Sequence, residues 1–191
     1  MFHLKSYIFF LLNNFKLNIL KNAILFYYFF INFIIMKIIK GDIIAMAQRG
    51  EFDVLVHGCN CFNNMNIGFS KKVKDAFPVA SIIDSRTGYG KKNKLGNYSG
   101  CLVDLREFDY RNRKKIYIIN AYVQYTLGNG AQLNYSSLKK VFQKIKTDLS
   151  GFKIAFPLFG YGLSNTSNTT VFEIIEKELA GEDFSLIIDA I

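Results

Sequence analysis

From Met36 onward the apolar residues fall into short runs, and two spacings alternate along the chain. "MKIIKGDI" reads as a strand ending in a turn, and "IAMAQRGEF" as a short helix stopped by Gly50. "DVLVHGC" is a continuous apolar run, the mark of a buried strand. In "GFSKKVKDAFP", Phe69, Val73 and Phe77 share one helical face, with Lys71, Lys72 and Lys74 mostly on the other, and Pro78 ends the helix. "VASIIDSRTG" gives a second short helix. "CLVDLREF" and "KKIYIINAYVQ" are strands on either side of the charged turn "DYRNRK". "NYSSLKKVFQKIKTDLSG" carries Leu138, Val141, Phe142, Ile145 and Leu149 on one stripe, with Gly151 at its end. "FKIAFPLFG" is a buried strand. "TTVFEIIEKELAG" is a helix capped by Asn168 or Thr169, and "DFSLIIDAI" is the last strand. Strands alternating with helices predict an α/β sandwich around a mostly parallel sheet.

Residues 1–35 break this pattern. They are almost entirely Phe, Leu, Tyr, Ile, Asn and Lys, residues that codons of A and T supply. A membrane anchor needs about 20 apolar residues. The best run, residues 22–36, is shorter and lies between Lys21 and Lys37. A signal peptide needs a small-residue cleavage site, and none is evident. The third reading is a hydrophobic, AT-rich leader outside the fold, translated from a start codon placed too early. Met36 is then the natural start, and residues 36–191 form one cytoplasmic domain. A membrane tether through residues 22–36 is the alternative.

Half of the 191 residues are hydrophobic, enough for a sizeable core, and the formal net charge is +9. That balance suits an anionic partner such as a nucleotide or nucleic acid, although AT-rich coding by itself also makes chains rich in lysine. Three cysteines, Cys59, Cys61 and Cys101, are too few and too odd in number for a disulfide framework, which points to a reducing compartment.

The chemistry is expected where strands hand over to loops, because ligands of parallel sheets bind beyond the carboxyl ends of the strands. Three such loops stand out: "KGDI", "HGCNCFNNMNIGFSKKV" and "PLFGYGLSN". The second and third carry glycines, and their backbone N–H groups, with a helix N-terminus, suit an anion. Two cradles facing each other suit a diphosphate. His57, Cys59 and Cys61 alternate as strand side chains do, but a closed zinc site needs further ligands, so no metal is expected. Cys59 reads as a small buried filler rather than a nucleophile. His57 reads either as a hydrogen-bonded structural residue or as a general base at the phosphate loop. The Lys91–Lys94 loop either steers an anion or is simply solvated.

"MKIIKGDI", "VLVHGCNCFNNMNIGFSKKV", "IINAYVQY" and "FPLFGYGL" resemble, in order and spacing, the macro domain, a family that binds ADP-ribose; the resemblance implies an α/β fold, a three-layer α/β/α sandwich with a mixed, mostly parallel sheet. The resemblance covers residues 36–191, and "HGCNC" looks like the branch that processes ADP-ribose 1''-phosphate. It implies that Asp42 accepts the adenine amino group, with Ile43 packed on the base. Asn60 would face the distal ribose. The turn from Met65 through Gly68 to Phe69 would wrap the diphosphate, together with Phe159, Gly160, Tyr161, Gly162 and Leu163. Phe159 and Tyr161 would cover ribose or phosphate, or else pack within their loop. His57 would activate water, with Asn60 orienting the ribose, so that the 1''-phosphate or an ADP-ribosyl group is hydrolysed without a cofactor. The departures bear on catalysis more than on binding. Asn66 replaces the first glycine of the family's Met-Gly-x-Gly-Ile-Ala turn, Ile67, Phe69 and Ser70 change its bulk, and Ser164 stands where one hydrolytic branch has aspartate. The rival reading is a non-catalytic reader of ADP-ribosylated protein or nucleic acid. A basic nucleic-acid-binding module is a third, without the aromatic-interleaved basic strands of a single-strand binder.

Overall fold

The computed structural model describes residues 36–126, 132–160 and 166–189. Within them lie six strands: β1 (Lys37–Lys40), β2 (Val54–Asn60), β3 (Tyr98–Asp104), β4 (Lys115–Gln124), β5 (Ile154–Phe156) and β6 (Phe184–Ile188). Five α-helices connect them: α1 (Ile43–Arg49), α2 (Gly68–Ala76), α3 (Pro78–Ser85), α4 (Tyr135–Asp148) and α5 (Asn168–Glu178). The sheet order is β1-β6-β5-β2-β4-β3. Among the described residues only the β3–β4 pairing is antiparallel; the other four are parallel. The alternating pattern predicts the mostly parallel sheet, and the antiparallel β3–β4 pair makes it mixed, as the family resemblance implies. Its parallel strands point their carboxyl ends, and the loops that follow, to one edge.

The pleat sorts side chains between two apolar layers. Val54 and Val56 of β2 pack with Val141, Phe142 and Ile145 of α4 and Val171 and Ile175 of α5. Leu55 and Cys59 point the other way, among Met46 and Ala47 of α1, Val73 of α2 and Ala80 of α3. The central strands are buried on both faces, so β2 reads as a run without alternation. A fully buried Leu, Ile or Phe in these layers contributes about 1.5–3 kcal/mol relative to leaving it exposed.

Helix ends follow local chemistry. Gly50 closes α1 with a left-handed φ of 69° and donates its N–H to Ala47 and Met46. Pro78 opens α3, and Phe77 serves as the joint between α2 and α3. The cap expected at Asn168 or Thr169 falls instead on Ser167, whose hydroxyl accepts from Thr170 N. Ser167 caps as well as Asn does, so the sequence offered adjacent candidates of nearly equal strength. No described helix is long and apolar enough to cross a membrane.

Candidate functional site

The β1–α1 turn brings Asp42 to the carboxyl edge as the N-cap of α1. Its Oδ1 accepts from Ile44 N at 2.9 Å and Ala45 N at 3.1 Å. Among the described residues its second oxygen makes no hydrogen bond, and the residue is exposed. A cleft of about 470 Å³ opens at the next residue, lined by Ile43, Gly68, Phe69, Lys72, Pro157, Leu158, Ile187, Ile188 and Asp189. The walls are therefore the start of α1, the start of α2, the loop after β5 and the end of β6. Most are apolar. The rim carries one ion pair, Lys72 Nζ to Asp189 Oδ2 at 3.5 Å. Helix α2 begins without a side-chain cap, because its N-cap position is Ile67. Its first-turn N–H groups are thus available to an anion.

Three loops expected to meet, after β1, β2 and β5, do lie at this edge. Ile43, Gly68 and Phe69 all line the cleft. Other expected residues serve the fold. Met65 is buried in the layer beneath α2. The Phe159 ring packs on Phe142 and Phe156 at 5.6 and 6.1 Å and lies against Gly58, so it takes the packing role of the two expected for it. Gly160 has a φ of 76°. Tyr161, Gly162 and Leu163 lie outside the described residues.

Asn60 is 2% exposed and its amide is already committed. Nδ2 donates to Asn64 O at 2.7 Å, and Oδ1 accepts from Phe62 N at 2.9 Å. In this structure it shapes the loop. The same holds for its neighbours. Asn64 accepts from Asn66 N, Asn66 accepts from Lys74, and Asn63 bonds to Thr87. The run of asparagines is a loop folded by its own side chains, as short amides fold turns.

His57 is not placed as a base. It is fully buried, on the face of β2 that meets α3. The parallel register sets it against Asn120 of β4, and Nε2 and Asn120 Oδ1 are 2.8 Å apart. Asn120 Nδ2 in turn donates to Ala80 O at 2.9 Å and to Ser99 Oγ at 3.2 Å. Desolvation lowers the His57 pKa from 6.5 to about 4, against the opposing pull of the Asn120 bond. A neutral ring in the core ties β2, β4, β3 and α3 together, and the base expected there has no contact with solvent. Cys59 is buried too, and desolvation raises its thiol pKa well above the usual range, which keeps it protonated.

Sequence reasoning missed two things. Leu158, Ile188 and Asp189 belong to the cleft, but nothing local marks strand-end residues as cleft wall rather than core. Lys94, read as part of a steering or solvated loop, is 7% exposed and packed over the Tyr122 ring at 4.2 Å. A single lysine in a lysine-rich loop carries no local signal of burial.

No family model matches the chain. Over 105 residues it is 37% identical to an uncharacterized 17.5 kDa protein of the tk-vs intergenic region of Enterobacteria phage T4, a match that takes in 54% of this chain and 61% of that protein. The chain thus spans 61% of the curated relative it matches. Among solved structures it is similar to the macrodomain of Thermus aquaticus DarG, with 17% identity, a TM-score of 0.56, and coverage of 81% of this chain and 98% of that one. The macrodomain of Mycobacterium tuberculosis DarG gives 18% identity and a TM-score of 0.55 over 81% and 99% of the two chains. Thermosipho africanus DarTG in complex with ADP-ribose gives 15% identity and a TM-score of 0.59 over 82% of this chain and 42% of that one. The chain has the macrodomain fold.

Proposed function

We propose that this domain recognises ADP-ribose, free or as the terminal group of a modified macromolecule. The observation that carries the reading is the coincidence of three features at one sheet edge: an apolar cleft, a carboxylate beside it and an uncapped helix N-terminus. A flat, weakly polar base suits walls made by Ile43, Phe69, Leu158 and Ile188. The free oxygen of Asp42 suits an exocyclic amine. The first N–H groups of α2, with Lys72 at the rim, suit a diphosphate. The likeness in fold to DarTG in complex with ADP-ribose supports the same reading.

Bound ADP-ribose is either held or hydrolysed at its distal ribose. The burial of His57 favours holding, because a general base must come within hydrogen-bond reach of the water it activates. The test is calorimetric titration of the full chain with ADP-ribose, followed by measurement of phosphate released from ADP-ribose 1''-phosphate. Saturable one-to-one binding without release beyond the buffer rate is expected. Absence of binding removes the proposal. Release in the wild type replaces recognition alone with a hydrolase whose base is not His57.

A further inference from the structure

Beneath the β2–α2 loop lies a buried ion pair that the proposed ligand contacts do not use. Lys94 ends the 3-10 turn Lys92–Lys94, and its side chain is turned inward. An ammonium in such a place costs several kcal/mol unless it is paired and hydrogen-bonded. Nζ donates to Asn63 Oδ1 at 3.0 Å and lies 3.7 Å from Asp84 Oδ1. Asp84 is more deeply buried than Lys94 and accepts from the Tyr122 hydroxyl at 2.8 Å.

The far end of this chain of contacts is the loop. Asn63 has a φ of 52°, the left-handed region, and no other described residue except glycine does. Its amide is held from both sides. Nδ2 donates to Asp84 O, to Thr87 O at 3.3 Å and to Thr87 Oγ1 at 3.1 Å, while Oδ1 receives the ammonium. Carbonyls on one side and a cation on the other permit one orientation of that amide. Asn63 in turn sets the direction of Asn64, whose carbonyl receives the Asn60 amide, and the chain then runs through Met65 to the start of α2.

We propose that Lys94 is a positioning residue for anion recognition: by clamping Asn63 in its left-handed conformation, it holds residues 64–68 so that α2 presents its first N–H groups to a diphosphate. The inference rests on the ADP-ribose reading. Lys94 touches no ligand and acts through Asn63. A lysine that merely stabilises the core would change stability and leave discrimination among ligands alone.

The experiment uses the full chain and two ligands, ADP-ribose and adenosine, which shares the base but lacks phosphate. Affinities are measured for the wild type, Lys94→Met, Asn63→Gly and the double variant. Hydrogen exchange over residues 61–68 is measured without ligand, with α4 as the control. Lys94→Met should lower ADP-ribose affinity by about tenfold or more, in line with loss of hydrogen bonds to a charged group, and leave adenosine within about twofold. Asn63→Gly keeps the backbone angle and removes the clamp, so it should show the same selective loss and stands in if Lys94→Met does not fold. The double variant should be no worse than the worse single one, because both break one chain of contacts. Exchange should rise at residues 61–68 and not in α4. Unchanged ADP-ribose affinity, equal loss for both ligands, or additive losses would overturn the proposal. A wild type that binds neither ligand sinks the nucleotide reading itself, whereas unchanged exchange at residues 61–68 in Lys94→Met sinks the positioning role.

Discussion

Asp42 illustrates how one side chain divides its labour. One oxygen caps α1, and the other is left for the ligand contact proposed above. Asp42→Asn keeps an N-cap of similar quality but loses the charge, so it should lower ADP-ribose affinity about tenfold to a hundredfold with little change in stability. Asp42→Ala should match that loss and also cost about 1 kcal/mol of stability in denaturant unfolding. Equal affinities across the three proteins would move the adenine site elsewhere. His57 makes a prediction of the opposite kind. Its folded pKa of about 4 lies below the unfolded value of 6.5, so the unfolded chain binds the proton first as pH falls. Its contribution is complete above pH 6.5 and is lost progressively as the pH drops from there toward 4, by about 3 kcal/mol at most. Urea midpoints of the wild type should fall across that window. Those of His57→Gln should start lower at pH 7, with a shallower fall; parallel slopes would mean that the ring takes up its proton equally in the folded and unfolded chain.

At the scale of elements, the loops show how much geometry a short segment must satisfy. The turn after β5 passes through Gly160 at a φ of 76°, and a Cβ there would stand 2.6 Å from Thr166 Cγ2. Two penalties add, backbone strain and overlap, so Gly160→Ala should cost more than the roughly 1 kcal/mol of strain alone. Gly68 has a similar φ, 62°, but open space around it, so Gly68→Ala isolates the strain. Thermal unfolding of the two variants should rank Gly160→Ala as the less stable. The reverse order would mean that the loop moves to admit the methyl group. Element identity was legible beforehand: helices α1 to α5 and strands β1 to β6 follow the apolar spacing that predicted them. The caps were less so, since adjacent Ser, Asn and Thr compete within one turn. The two-sided burial of β2 was visible as an unbroken apolar run. The use of Asn60, Asn63 and Asn64 as loop scaffolding was not, because amides that bind ligand and amides that bind backbone look alike in sequence.

At the scale of the molecule, the first described strand begins at Lys37, which pairs with Ser185 in β6. We propose that residues 1–35 are dispensable to the fold. A chain beginning at Met36 should unfold at the same denaturant midpoint and bind ADP-ribose with the same affinity as the full chain; loss of either would make the first 35 residues structural. The sequence by itself determined the alternation of strands and helices, the α/β class and the loops that gather at one edge. Those properties follow from spacing along a single segment and from the rule that parallel strands share a direction. Only the tertiary structure decided which side chains meet a ligand. His57 is buried because the β2–β4 register places it against Asn120 under α3. Lys94 is buried because Asp84 and Asn63 await it from other elements. Accessibility and pairing are set by neighbours distant along the chain, and no local pattern of residues encodes where those neighbours will lie.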